Sequence, residues 1–115
     1  MTTEPAAGVV ARYFEMWNTG DTSMVEAIVD PEWVDHAHPE VAGPDGVRQA
    51  VAAIRAVSPD LRFKVESILG DDGLVAAVGG VGAQHTSPGR FVWLVRVAGG
   101  RMVEMWTYQQ SPPPG

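Results

Sequence analysis

Hydrophobic positions recur along this chain at two different periods, and the change from one to the other falls near residue 60. Before it the period is helical. Within PAAGVVARYFEMW, residues 5 to 17, Val9, Val10, Tyr13, Phe14 and Trp17 stand at i, i+1, i+4, i+5 and i+8. That stripe predicts a first helix ending at Asn18 and Gly20. Asp21, Thr22 or Ser23 can cap a short second helix through Met24, Val25, Ala27 and Ile28, which Asp30-Pro31 stops. EWVDHAH, 32 to 38, reads as a short strand, and Gly43, Pro44 and Asp45 lead into a third helix with Val47, Val51, Ile54 and Val57 on one face. Ser58-Pro59 ends it.

From Asp60 onward the period is two. Leu61, Phe63, Val65, Ser67 and Leu69 alternate with Arg62, Lys64 and Glu66, which predicts a half-buried strand with its odd residues inward. Asp72-Gly73 signals a hairpin into a second strand, 74 to 86, rich in Gly and Ala. Phe91 to Val97 forms a third, Gly99-Gly100 turns the chain, and Met102 to Gln110 forms a fourth. Helices first and antiparallel strands afterwards predict an α+β fold: three N-terminal helices packed on a strongly curved, mostly antiparallel sheet closing partly into a cone. The mouth of such a cone is a natural small-molecule pocket.

Hairpin arithmetic orients the last two strands. A two-residue Gly99-Gly100 turn pairs Ala98 with Arg101, Val95 with Glu104, Trp93 with Trp106 and Phe91 with Tyr108, and paired residues share a face. With Arg96 outward, Glu104, Trp106, Tyr108 and Gln110 then face the pocket, unless a longer loop or a bulge reverses them. Val92, Leu94, Val103 and Met105 are left on the other face. That face is too apolar to stay bare, and we expect either a homodimer through it or a helix or the tail covering it.

Composition narrows the class. A chain of 115 residues and 12.3 kDa supports a single domain, expected over 1–110, with a Pro-rich tail at 111–115. The net charge of -6 argues against nucleic acid and anionic membranes as partners, because phosphates need basic patches. No cysteine is present, which removes disulfides, thiolate metal sites and a cysteine nucleophile. Neither a signal peptide nor an 18-residue apolar run is visible, so a cytoplasmic protein is the expectation.

Several stretches in order resemble a nuclear transport factor 2-like (NTF2-like) domain of the SnoaL-like polyketide cyclase kind: Tyr13-Phe14, Trp17-Asn18 with Gly20-Asp21, Val34-Asp35-His36, Gly43 with Gly46-Val47, Ser58-Pro59-Asp60-Leu61-Arg62 with Val65-Glu66, and Val103-Glu104-Met105-Trp106. The resemblance implies the cone, and ring closure by aldol-type condensation using a pocket acid or base without metal or organic cofactor. Relatives with this cone dehydrate, isomerise, open epoxides, or only bind, so the reaction does not follow from the fold. Two departures stand out. Gln109 and Gln110 occupy the region where family members often carry an aspartate, and the segment after Gln84-His85-Thr86 is shorter than the family's loop.

Candidate chemistry follows from these placements. Asp35 and His36 are strand neighbours and face opposite ways, so only one enters the pocket; His36, suited to proton transfer at neutral pH, is the candidate acid or base, or else a hydrogen-bonded rim residue. His38 shares its spacing, yet a metal site lacks an evident third ligand. Glu104 among tryptophans is a candidate base or acid, or else a structural glutamate paired with an arginine or with backbone N–H groups. Tyr13 and Tyr108 are candidate donors to an enolate or oxyanion. Trp17, Trp33, Phe63, Phe91, Trp93 and Trp106 are candidate walls for a flat polycyclic or polyene substrate, with Gln84 and Gln110 holding a carbonyl and the face of His85 open. The expected function is a cofactor-independent cyclase acting on a polyketide-like intermediate; the alternatives are another NTF2-like activity (dehydratase, isomerase, epoxide hydrolase) or a noncatalytic binding or assembly domain.

Overall fold

A left-handed glycine ends the first helix where the sequence places its stop: Gly20 has φ +80° and its N–H closes on the Met16 carbonyl at 2.8 Å. The computed structural model describes residues 6–70, 73–82 and 89–109. Elements run α1 (Ala6–Thr19), α2 (Val25–Ile28), β1 (Val29–Asp35), α3 (Gly43–Val57), β2 (Arg62–Leu69), β3 (Leu74–Gly82), β4 (Gly89–Ala98) and β5 (Arg101–Gln109). The strands form one sheet in the order β1-β5-β4-β3-β2, antiparallel except for the parallel pair β1 and β5. The α+β expectation and the mostly antiparallel sheet therefore hold, with one correction. The helices are not all N-terminal to the sheet, since β1 intervenes between α2 and α3.

β1 starts three residues earlier than its hydrophobic pattern implied, directly at the end of α2. Pro31 does not stop the chain there. It lies in an edge strand, where pairing lapses between Val29 and Val34, so its missing N–H costs no ladder bond. The core forms where one face of the sheet meets the helices, around Val9, Val10, Met16, Ile28, Trp33, Val51, Val75 and Met102. α1 lies against β2, β3 and β5, and α3 against β1. Along α3 only the first half of the predicted stripe is buried: Val47 and Val51 are in the core, whereas Ile54 is 43% and Val57 83% exposed.

Two bulges reset the alternation. In β2, Val65 pairs with Gly79 and Ser67 with Val78, so Glu66 is the extra residue; Phe63, Val65 and then Ile68 are part-buried while Leu69 turns outward. The inward set thus shifts from odd to even positions, contrary to the simple alternation. In β5 the Gly99-Gly100 turn is the two-residue kind, both residues having positive φ (+61° and +77°), and Ala98 does pair with Arg101. Beyond it Val97 pairs with Met102 but Arg96 pairs with Glu104, which leaves Val103 as an extra residue.

Candidate functional site

That extra residue inverts the predicted wall. Met102 and Met105 are both buried on the inner face, and Thr107 follows them opposite Trp93. Glu104, Trp106 and Tyr108 pair with Arg96, Leu94 and Val92 on the outer face, so their expected placement in the pocket is corrected. The physical reason lies in the charges. An inward Glu104 would carry a carboxylate into the core, whereas outward it meets Arg96 across the strand pair at 3.0 Å. The arginine-paired alternative for Glu104 is the arrangement observed.

His36 goes with it. Its backbone follows Asp35, its ring stacks on Trp106 at 5.1 Å with an 8° interplanar angle, and its Nε2 lies 2.6 Å from Glu104 Oε2. The Glu104 carboxyl is held below its ordinary value of 4.5, first by His36 and then by Arg96. A lowered carboxylate adds stability above its unfolded value and loses it as pH falls through the folded one. Wild type is therefore expected to be more stable than Glu104→Gln at neutral pH, with the difference vanishing below the ordinary carboxylate range in urea titrations repeated across pH. A difference constant with pH would show that this ion cluster is not what Glu104 contributes.

On the inner face a cavity of about 390 Å³ opens between the helices and the sheet. Tyr13, Phe14 and Trp17 of α1 line one side, Phe63 of β2 with Phe91 and Trp93 of β4 another, and Ile54, Leu61, Val81 and Met105 add aliphatic surface. Four lining residues are polar: Asp35, His38, Glu40 and Thr107. The volume suits a small organic molecule.

Local structure explains why these walls stand where they do. Asn18, just before the end of α1, clamps the backbone of Phe63 from both sides, its amide donating to the carbonyl at 2.9 Å and its oxygen accepting from the N–H at 2.7 Å. Arg55 on the last turn of α3 donates to the carbonyls of Trp17, Pro59 and Leu61. Together they fasten α1, α3 and the start of β2 into one frame.

Asp35 is the centre of the polar set. It ends β1 on the inner face beside Met105, and among the described residues it is the one buried charged side chain, 6% exposed. Its Oδ1 accepts from the Ala37 N–H at 3.0 Å, and its Oδ2 lies 3.5 Å from His38 Nδ1. Facing it, Tyr13 is 4% exposed and its phenol is pushed far up, by burial above all and also by the Asp35 charge, against a hydrogen bond from Trp17. The phenol stays protonated at any working pH. It is therefore a hydrogen-bond donor and not a base.

Of the residues expected in the site, the structure brings together Tyr13, Trp17, Phe63, Phe91 and Trp93. His36, Glu104, Trp106 and Tyr108 lie on the opposite face of the sheet, and Trp33 is not in the cavity wall but in the core beneath it, 1% exposed, with its ring 5.9 Å from that of Tyr13. Gln84, His85 and Gln110 fall outside the described residues, as does the tail. The residue that enters the cavity is Asp35 and not the expected His36, and Trp33 two residues earlier carries the signal. The largest apolar side chain of the strand claims the inner face, and alternation then takes Asp35 with it. His38 and Glu40 sit on the β1–α3 connection, where no period announces direction. Among the described residues no group of three His, Cys, Asp or Glu is placed to hold a metal, and no helix is long and apolar enough to cross a membrane.

The fold is shared with solved structures. A proposed polyketide cyclase from Bacillus cereus ATCC 10987 superposes with a TM-score of 0.75 at 21% identity, covering 88% of this chain and 71% of that one. IdmH, a proposed polyketide cyclase from Streptomyces antibioticus, gives 0.73 at 23% identity over 90% of each chain. An NTF2-like protein of unknown function from Mesorhizobium loti gives 0.75 at 23%, over 91% of this chain and 90% of that one. At such identities the likeness speaks to the fold alone, and that fold is the NTF2-like α+β one. A family model described as a SnoaL-like domain matches residues 10–105, and the chain belongs to that family. Among curated proteins none is similar enough to count as a match.

Proposed function

We propose that the protein is a cofactor-independent cyclase, or a closely related lyase or isomerase, acting on a flat polyketide-like intermediate by proton transfer at Asp35. The observation that carries this reading is Asp35, the one buried carboxylate among the described residues, at the wall of an aromatic cavity that a protonated phenol also lines. A buried carboxylate fixed at the wall of an apolar cavity is placed to act as general base toward a carbon acid lying against that wall. Asp35 removes a proton next to a substrate carbonyl; Tyr13 donates to the enolate oxygen as charge develops there. The enolate carbon then attacks a second carbonyl of the same molecule, whose C=O π bond opens to an alkoxide; the proton held by Asp35 returns to that oxygen, and His38, exposed on its outer side and 3.5 Å from Asp35, exchanges protons with solvent. Membership in the SnoaL-like family, together with the likeness of this chain's fold to proposed polyketide cyclases, supports the substrate class.

The test uses 2-tetralone, a flat neutral ketone, in deuterated water. The protein is expected to accelerate exchange of the ketone's α-protons over buffer, as followed by proton NMR, and Asp35→Asn to abolish the acceleration. Exchange at the buffer rate with wild type, while tetralone still binds, would leave a binding domain in place of an enzyme.

We also infer that two copies pair through the outer sheet face. Supporting this, Leu94 and Trp106 are only half-buried there, and Val92 and Tyr108 are 37% and 56% exposed. Leu94→Arg is expected to turn a dimer into a monomer in light scattering at micromolar concentration; a wild-type monomer would refute the pairing.

A further inference from the structure

We propose that the cavity selects a ligand with a positive charge, an ammonium or iminium group on an otherwise flat apolar body, and that Glu40 is the residue that reads this charge. The inference rests on the cavity being the ligand site, as proposed above, and goes on to name what that site discriminates. It begins from the whole basic complement of the chain. All eight Lys and Arg lie among the described residues, and none of them lines the cavity. Arg48 is bound to Glu26 and Asp45, Arg90 to Glu66 and Arg96 to Glu104, while Arg55 is spent on backbone carbonyls. The stretches outside the described residues contain no Lys or Arg at all, so they cannot bring one to the mouth.

The cavity's own charges have the other sign. Asp35 is engaged by the Ala37 N–H and by His38, which also matches any charge His38 carries. Glu40 lines the cavity and has no ion-pair partner among the described residues. Besides aliphatic side chains and Thr107, the lining holds six aromatic rings, those of Tyr13, Phe14, Trp17, Phe63, Phe91 and Trp93, whose faces attract cations. An anionic ligand would give up its water here for no opposing charge, beside two carboxylates. A cation placed toward Glu40 gains that carboxylate and a ring face, and leaves Asp35 free for the proton.

One scaffold at three charges tests the idea: 2-aminotetralin as its ammonium ion, 2-tetralol as the neutral form, and tetralin-2-carboxylate. Binding is read from quenching of tryptophan fluorescence, at mildly alkaline pH and low salt. The ammonium ion is expected to bind at least about tenfold tighter than the alcohol, as a carboxylate a few ångströms away in a half-solvated site allows, and the carboxylate to bind weakest. Glu40→Gln, a change at an exposed position, should bring amine and alcohol to within about threefold of each other. Equal binding of amine and alcohol to wild type, or an amine advantage that survives Glu40→Gln, overturns the proposal. Such a result alongside Asp35-dependent exchange of 2-tetralone leaves the proposed function standing, whereas failure of all three probes and of the exchange removes both.

Discussion

Asp35→Asn is expected to lower protein-catalysed α-proton exchange of 2-tetralone at least about a hundredfold, the span general-base catalysis ordinarily supplies. Asparagine is the informative substitution because its oxygen can still accept the Ala37 N–H, so the loop after β1 keeps its anchor. What it cannot do is take a proton. Folding should survive, with a melting temperature equal to or above that of wild type, since a neutral amide is easier to bury than a carboxylate. Binding of 2-tetralone itself should change by no more than about threefold, because the aromatic walls supply most of it. Glu104→Gln is the control on the far face of the sheet and should leave exchange as it was. If Glu104→Gln abolished exchange and Asp35→Asn did not, the proton-transfer assignment would be on the wrong side of the sheet.

Gly79→Ala is expected to destabilise the fold by about 3 kcal/mol or more, the upper end of overpacking effects, read as a shift in the urea midpoint. A Cβ at residue 79 would stand 2.0 Å from the Lys64 carbonyl oxygen and 2.9 Å from the Val65 Cα. Both are backbone atoms, so no side chain can swing away. The contact lies at the β2 bulge, where Val65 pairs with Gly79 and the inward positions change from odd to even. Pushing β2 off β3 there would also displace Phe63, one wall of the cavity. Gly99 is the useful contrast, with nothing within 4 Å of its Cβ position and a φ of +61° that asparagine tolerates. Gly99→Asn should cost within about 0.5 kcal/mol. An unchanged midpoint for Gly79→Ala would mean the strands do not approach as described.

The ease with which each part was read tracks the range of the interactions that set it. The first helix was legible because five apolar residues at helical spacing and a left-handed glycine stop are local properties. The Gly99-Gly100 turn was legible for the same reason, and with it the first pair of the hairpin. Faces beyond that turn were not. One extra residue at Val103 moved Glu104, Trp106 and Tyr108 from wall to exterior, and nothing within the strand's own alternation marks it. Its cause is a choice between burying Met105 and burying Glu104, settled by Arg96 on β4 and by His36 just past the end of β1, the two strands that flank β5.

The family, the α+β class and five aromatic and phenolic members of the cavity, Tyr13, Trp17, Phe63, Phe91 and Trp93, were thus determined by sequence alone. Apolar periodicity and the order of short stretches survive without coordinates. Alternation from Trp33 points Asp35 to the inner face, but that Asp35, and not Glu104, is the buried carboxylate of the cavity was decided only by tertiary structure. Asp35 or His36, and Glu104 in or out, each depend on a one-residue register, and register is settled by packing across strands that the chain brings together from 68 residues apart, while His38 and Glu40 reach the cavity on a connection whose course that packing sets.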